Sequence, residues 1–397
     1  MKHIIIGVGA AGISAARAIR KHRRDDEILM ISTDDAVYSR CMLHKYIGGG
    51  RSVGEMSFVP DNFFEDNNIS WRNRTTVTEI DTANKRVVFE GGSENYDRLL
   101  IATGAKSVFP PIDGLKGATG IYGLRDLPDA KAIREKAGGA SNIVVIGAGL
   151  VGLDAAYGLV EMGKKPVVVD MATHVLSANL DEPAAAVYQA KFEEAGCEFR
   201  FGCKVSSVKQ NAAGEVSAII LDGKEELACD LLVVAVGVRP ENGLLPSNSI
   251  DEYLSVGTDV YVAGDATGFS QSWPSAIEQG EVAALNMCGI ITPYDEILAL
   301  KNTVNFFGIA SLSVGQLVPA PGDTCDVRES KGRYQKIISR DGVPVGVILQ
   351  GDISRSGFWQ HLVKNKINIA DIPKPIWKMS FADSYGLDEN GEYEWMT

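Results

Sequence analysis

No two cysteines of this chain stand in a C-x-x-C or C-x-x-x-x-C pair. The six thiols lie apart, at positions 41, 197, 203, 229, 288 and 325. That excludes an adjacent redox dithiol. No metal-ligand spacing arises with the five histidines either, so no metal site is expected. Long apolar runs are missing too. The best of them, such as Leu231–Val238, falls far short of the roughly 18 residues a membrane helix needs. Basic charge is in deficit: Lys+Arg number 39 against 51 Asp+Glu, a net charge of -12. A general nucleic-acid binder needs local excess of Lys and Arg, so that class is excluded. Scattered thiols, and an opening that goes straight into the strand His3–Ile6 with no leader before it, lead us to expect a reduced, cytoplasmic protein.

What is present is more telling. At 397 residues the chain is too long for one ordinary domain, and two or three are expected. Hydrophobic content of 45% describes a globular chain rather than a disordered one. The 42 glycines exceed the usual share of about 7% and call for tight turns and close backbone approach. Many serve an internal echo. Ile6-Gly-Val-Gly-Ala-Ala-Gly-Ile-Ser-Ala-Ala16 returns as Ile146-Gly-Ala-Gly-Leu-Val-Gly-Leu-Asp-Ala-Ala156. Each copy follows an apolar strand (His3–Ile6; Asn142–Ile146). Each opens a helical run (Ile13–Arg23; Leu153–Met162) and is followed by a second strand (Glu27–Ile31; Pro166–Val169).

One G-x-G-x-x-G is weak evidence, since a glycine-rich turn often holds nothing. Two in the same strand–helix context are strong. The first Gly makes the turn, the second admits a pyrophosphate against the backbone, and the third lets helix pack on strand. The helix N-terminus offers free N–H groups and partial positive charge. Gly7, Gly9, Ala10, Ala11 and Gly12 therefore form one expected dinucleotide turn, and Gly147, Gly149, Leu150, Val151 and Gly152 a second. Asp170 ends the strand after the second turn and can accept both hydroxyls of a ribose while repelling a 2′-phosphate. Met171-Ala172-Thr173 supplies no base to hold such a phosphate, so NADH is favoured over NADPH. Asp97–Ala105 and Asp230–Val238 echo one another as buried strands ending in Gly. After about residue 298 the texture changes to short alternating strands, Tyr334–Ile338 and Val343–Leu349, around Asp341-Gly342.

The order of glycine motif, A-T-G-A, second glycine motif, V-G-x-R-P and G-D resembles the pyridine nucleotide-disulfide oxidoreductase family of flavoproteins. In texture it is nearest the NADH:rubredoxin reductases, the flavin part of nitrite reductases, and the NADH oxidase–coenzyme A disulfide reductase branch. The resemblance implies an α/β fold of two Rossmann-like dinucleotide-binding domains plus a small C-terminal α+β domain. The FAD domain, residues 1–107 and 237–297, would be split by an inserted NAD domain, 108–236, with 298–397 as the third. FAD and NADH are the implied cofactors. Residue by residue, Gly264-Asp265 matches the aspartate at the FAD ribityl and pyrophosphate region. Thr103-Gly104 matches the A-T-G turn near adenine, Gly237 the V-G-x-R-P glycine, and Arg40 an arginine beside the pyrophosphate. For the adenosine ribose the family's Glu is replaced by Thr33, and Asp34 follows it, so Asp34 is the expected acid with Thr33 assisting. Asp154 stands where the family commonly has Glu, and its shorter arm puts in doubt any ion pair that Glu would make.

The segment Tyr38–Gly49 resembles two templates at once. In the rubredoxin- and ferredoxin-linked reductases a Pro stands where Cys41 is. In the disulfide reductases that position is a redox cysteine facing the flavin. Arg40 and Lys45, near in sequence, would lower the thiol's pKa. Lys45 is implied under the flavin ring, in reach of its N5. The expected activity is therefore transfer of electrons from NADH through FAD to an acceptor, a small electron-transfer protein such as rubredoxin. Disulfide reduction or NADH oxidation through Cys41 is one alternative. A non-catalytic flavin subunit of a larger assembly is another. The oligomeric state is left open, a homodimer included. A basic run (Lys364, Lys366, Lys374, Lys378), followed by Asp383, Asp388, Glu389, Glu392 and Glu394, would steer an acidic partner if exposed, or be neutralised within the fold.

Overall fold

A parallel strand buried on both faces must be apolar at every position, because successive side chains point to opposite sides. Lys2–Ile6 meets that demand. The computed structural model describes residues 1–269, 272–295, 301–387 and 389–395. In it, Lys2–Ile6 runs parallel between Glu27–Ile31 and Arg98–Ile101. Ile69–Arg72 and Val260–Val262 extend the sheet in parallel, and Ser255–Gly257 closes one edge antiparallel. Ile5 packs with Ile13 and Ile19 of the helix Ala10–His22 and with Met287 of the helix Trp273–Met287. Ile4 and Ile6 face the other way, onto Val87 and Phe89 of a three-stranded antiparallel sheet. The two helices cross so closely that a Cβ on Gly280 would strike the Ala11 backbone.

The two glycine turns are built alike. Gly7 holds φ +111° and donates its N–H to the Ile31 carbonyl at 2.8 Å; Gly147 holds φ +106° and donates to that of Val169 at 2.8 Å. Both helices begin about three residues earlier than their apolar patterning suggests, at Ala10 and Leu150. The small residues of the motif already wind the first turn. Ile13 donates to the Gly9 carbonyl at 3.0 Å, and Leu153 to that of Gly149 at 2.9 Å.

The chain packs as two units, Met1–Ile146 with Asp154–Lys164 and Val205–Glu296, and Gly147–Leu153 with Lys165–Lys204 and Ile297–Thr397. Besides the first sheet, the first unit holds Leu231–Val234 in parallel between Ile143–Ile146 and Ile121–Tyr122. It also holds an antiparallel ribbon of Ala105–Ser107 with Val238–Pro240; the unit runs on past residues 107 and 237, where domain boundaries were expected. The boundary expected at 297/298 lies outside the described residues.

In the second unit Val167–Asp170 runs parallel to Glu198–Phe201. A five-stranded antiparallel sheet follows, in the order Lys301–Phe306, Ile309–Gly315, Val343–Gln350, Arg333–Arg340, Thr324–Ser330. Asp341 and Gly342 both take positive φ, +48° and +82°, so the Asp-Gly turn joins its two strands in the hairpin form that matches strand twist. Against one face, Tyr188 of the helix Glu182–Glu194 donates to the Ile309 carbonyl at 2.8 Å. Against the other lies the helix Ser356–Lys364, whose Trp359 is 1% exposed among Leu312, Val347 and Leu362. Of the basic run, Lys374 is bound to Asp383 at 2.8 Å, so the neutralisation expected within the fold is met at that pair. Asp388 lies outside the described residues.

Removing the Trp359 ring leaves a cavity that this small sheet has little else to fill. Trp359→Ala should lower stability in urea denaturation by about 3–5 kcal/mol. A loss under about 1 kcal/mol would show that this core is not closely packed.

Candidate active site

The carboxyl ends of a parallel sheet, where strands hand over to loops, are where ligands of open α/β sheets bind. A cavity of about 470 Å³ lies there in the first unit, walled by the first glycine turn and by the loops carrying Thr33-Asp34, Arg40-Cys41, Thr103-Gly104 and Gly264-Asp265. The backbone sets its floor. A Cβ on Gly7 would meet the Ala102 carbonyl, and one on Gly12 the Gly7 carbonyl, so both positions exclude any larger residue. At Gly9 a Cβ would meet only Arg40 Nη1, at 3.5 Å, so this glycine turns its open side to the cavity. The helix Ala10–His22 points its N-terminus there and carries no acid in its first turn.

Polar side chains around this floor hold one another. Asp34 accepts from Tyr38 Oη and from Arg40 Nη2, each at 2.9 Å, while Tyr38 Oη accepts the Leu127 amide at 3.0 Å. Arg40 also lies 5.1 Å above the Tyr38 ring. Burial pushes the Tyr38 phenol upward, with the Asp34 charge adding to that and Arg40 opposing it. Asp34, expected as the ribose acid, thus spends one lone pair of each oxygen on its neighbours and keeps the others. Thr103 Oγ1 donates to the Glu241 carbonyl at 2.6 Å. Gly264, at φ +74°, donates to Gln279 Oε1 at 2.8 Å, and Asp265 pairs with Arg125 Nη2 at 2.5 Å. Arg125 also donates to the Ala105 carbonyl at 3.0 Å. Sequence reasoning missed Arg125. The capping pair Asp126 and Asp129 announces a helix start just after it, but nothing in the spacing carries Arg125 to Asp265, 140 positions on. Gly237 does not line the cavity. Its carbonyl accepts from Val108 at 3.0 Å beside the ribbon.

At the second turn Asp170 accepts the Ala148 amide at 2.5 Å and the Ala172 amide at 2.7 Å. The carboxylate therefore ties its strand end to the turn, and Met171 next to it is 73% exposed.

Cys41 opens into the cavity, but neither base expected at its thiol is there. Arg40 turns to Asp34. Lys45 does not line the cavity: it binds Glu161 at 2.9 Å and lies 4.4 Å over the Tyr157 ring. Desolvation raises the Cys41 thiol, with the Asp154 charge adding to that and Arg125 opposing it. The expected lowering is thus reversed.

Asp154, Tyr157, Gly158 and Glu161 lie along one face of the helix Leu150–Glu161, turned to the segment His44–Ile47. Gly158 is required there, since a Cβ would come within 2.7 Å of the His44 carbonyl. His44 Nδ1 sits 3.2 Å from Asp154 Oδ1, off the line of a good hydrogen bond. Desolvation holds Asp154 up at about 8, with Lys45 pulling the other way. Desolvation, then the charges of Lys45 and Arg51, press His44 down to about 4. Desolvation thus favours the uncharged form of each group, the acid with its proton and the imidazole without one. At the position of the Glu-to-Asp departure the acid thus stands against His44.

A glycine floor without side chains, a helix end free of acid and a cavity of about 470 Å³ fit a nucleotide cofactor, and the second turn repeats the glycine motif. The comparisons agree. Residues 1–280 match the model of the pyridine nucleotide-disulphide oxidoreductases, and 301–367 that of the rubredoxin NAD+ reductase C-terminal domain. The chain belongs to the pyridine nucleotide-disulphide oxidoreductases. It is 31% identical over 396 residues to the NADH-dependent phenylglyoxylate dehydrogenase subunit epsilon of Aromatoleum evansii, covering 94% of this chain and 93% of that one. It is 32% identical to an NADH oxidase of Methanocaldococcus jannaschii, over 75% of this chain and 72% of that one. Among solved structures, a NAD-dependent persulfide reductase from A. fulgidus superposes with a TM-score of 0.81 at 25% identity, over 94% of this chain and 78% of that one. The protein is accordingly an oxidoreductase that depends on FAD and NADH. Among the described residues no helix is long and apolar enough to cross a membrane.

The neutral pair has a signature in stability. Asp154 titrates near 8 in the fold against 3.8 unfolded, so the folded chain holds the extra proton between them, and stability falls as pH rises through that window. His44, near 4 against 6.5, acts oppositely below about 6.5. The two effects offset each other up to pH about 6.5, and only the loss remains from there to about 8. Wild type should lose roughly 1–2 kcal/mol across that upper window, measured by urea unfolding, and Asp154→Asn should lose little. Equal slopes in both proteins would place the Asp154 proton elsewhere.

Proposed function

We propose that this protein takes electrons from NADH and passes them through FAD to a small redox protein such as rubredoxin. One observation carries the choice of acceptor class. Cys41 is the only cysteine lining the cavity, and its surroundings raise its pKa. A thiol that attacks a disulfide works as the thiolate and needs the opposite environment. The match of 301–367 to the C-terminal domain of rubredoxin NAD+ reductases supports the same reading. The full-length likeness to a dehydrogenase subunit supports a second one, in which the acceptor is a redox partner subunit of a larger assembly.

In this reading FAD would occupy the domain of residues 1–107 and 237–297 and NADH that of 108–236, with 298–397 as the third domain. The Gly7–Gly12 turn and the helix N-terminus would hold a pyrophosphate by backbone N–H groups. Asp34 and Thr33 would take a ribose, and Thr103-Gly104 would pass beside adenine. Asp265, fixed by Arg125, would accept from a ribityl or pyrophosphate-side hydroxyl. Bound FAD supplies the chemistry by accepting two electrons as hydride and releasing them singly. Gly147–Gly152 would hold the nicotinamide nucleotide, with Asp170 favouring its unphosphorylated ribose.

Purified protein should be yellow and should be bleached by NADH. Cys41→Ser should keep rubredoxin reduction within about twofold of wild type and should show no coenzyme A disulfide reduction to lose. A loss of about a hundredfold or more would move the protein to the thiol-dependent branch, since activated thiols carry effects of that size. Asp170→Ala with Met171→Arg should raise NADPH use relative to NADH at least about tenfold. Equal use of both nucleotides by the native protein would overturn the role given to Asp170.

A further inference from the structure

Register sets a polar row across the face of the C-terminal sheet that meets the helix Glu182–Glu194. Ser311, Gln350, Tyr334 and Glu329 stand opposite one another on four neighbouring strands, so their side chains share that face. The helix satisfies three of them. Tyr188 Oη donates to Ser311 Oγ at 2.8 Å, Gln350 Nε2 donates to the Ala184 carbonyl at 2.8 Å, and Tyr334 Oη donates to Asp181 at 2.6 Å. Glu329, at the outer end of the row, is exposed. Pro183 and Val187, four positions apart on one face of the helix, stand across from the row. Between them opens a cleft of about 440 Å³, with Ile309 in its wall. That volume lies within the range of small-molecule sites, roughly 300–1,000 Å³. None of the residues assigned to FAD or NADH lines it.

The groups this cleft leaves free are acceptors. Gln350 is 2% exposed. Its bond to a carbonyl fixes the orientation of the amide, because a carbonyl can only accept. Gln350 Oε1 then has no donor among the described residues, although the residue lines the cleft. Buried amide oxygens are seldom left so. Tyr334 Oη has given its proton to Asp181 and has only lone pairs to offer. Burial raises its phenol, and the charges of Asp181 and Glu329 add to that, so the Glu329 carboxylate is felt at the base of the cleft. Among the described residues no cation pairs with Glu329, while the bases beside it are engaged. Arg333 lies 3.4 Å from Asp352, and Lys336 is bound to Asp181 at 2.9 Å.

We propose that this cleft is a binding site for a small organic cation, an ammonium or amidinium group carried on an apolar body. The N–H donors would meet Gln350 Oε1 and the Glu329 carboxylate in charge-assisted hydrogen bonds. The apolar body would cover Pro183, Ile309 and Val187, the last a large hydrophobic residue left 39% exposed. An anion would be repelled by Glu329. An apolar molecule without a donor would leave Gln350 Oε1 unmet.

Isothermal titration calorimetry on the full chain with its flavin tests this, with benzylamine as the cation and benzyl alcohol and benzoate as its neutral and anionic counterparts. Benzylamine should bind with a Kd on the order of 0.1–1 mM, and the other two at least about tenfold more weakly. Glu329→Gln should weaken benzylamine about tenfold. Val187→Trp fills the cleft and should abolish the binding. Both positions are exposed, so flavin content and circular dichroism should not change. Gln350→Leu should also weaken benzylamine, and the two exposed variants decide the matter if that chain does not fold. Absence of benzylamine binding overturns the assignment. So does benzoate binding as tightly as the amine, which would give the cleft to Arg333, and so does binding indifferent to Val187→Trp, which would place the amine elsewhere.

Discussion

One contact sets the first unit: the Gly7 Cα against the Ala102 carbonyl, with no room for a Cβ between them. Because that gap is closed, the strand Lys2–Ile6 must turn at once into the helix Ala10–His22 rather than run on into a loop. The turn then exposes Gly9 instead of a side chain and aims the helix N-terminus over the strand ends. The neighbouring strands Arg98–Ile101 and Val260–Val262 finish at the same level. Their loops, carrying Thr103-Gly104 and Gly264-Asp265, consequently open around one cavity. Sequence separation of more than 250 residues between Gly7 and Asp265 is bridged by nothing more than strand register.

That dependence explains what could be read beforehand. Glycine turns, buried strands and the Asp-Gly hairpin are local: a few adjacent residues and one backbone conformation decide each of them. They were legible because no distant partner can change them. Site electrostatics are not local. Lys45 and Arg40 stand four and one residues from Cys41, and proximity in sequence suggests that both serve the thiol. In the fold each is claimed by a better acid, Glu161 and Asp34. Arg125, which does act on the thiol, comes from a loop more than eighty residues away. Proximity in sequence was the wrong measure, since an ammonium or guanidinium goes to the carboxylate that its stem can reach.

The departures from the family pattern also make sense together. A longer acid at 154 would extend from the helix toward Lys45. With Asp there, Glu161, two turns along the same face, takes the lysine, and Asp154 faces an imidazole instead. Desolvation raises the acid's pKa and lowers the imidazole's, which favours an uncharged contact over a buried ion pair without the hydrogen bonds to support it. The cost is a proton that leaves as pH rises toward 8. The contact between the Cys41 segment and the helix of the second turn is therefore sensitive to pH where a Lys–Glu pair would not be.

The cavity settles its own charge in the same manner. Arg40 is matched by Asp34, Arg125 by Asp265, and Lys106 by Glu241, each cation by an acid that also lines the walls. Little side-chain positive charge is left over for a pyrophosphate. In the proposed reading, attraction for it would come from the turn's N–H groups and the helix end, whose first turn contains no acid to cancel its field. Such a site selects by shape and backbone direction rather than by net charge, in a chain that carries -12 overall. Glycine at 7 and 12 is demanded by the backbone that a Cβ would strike, while at 9 a side chain would enter the cavity and stand between a ligand and the amides of the turn.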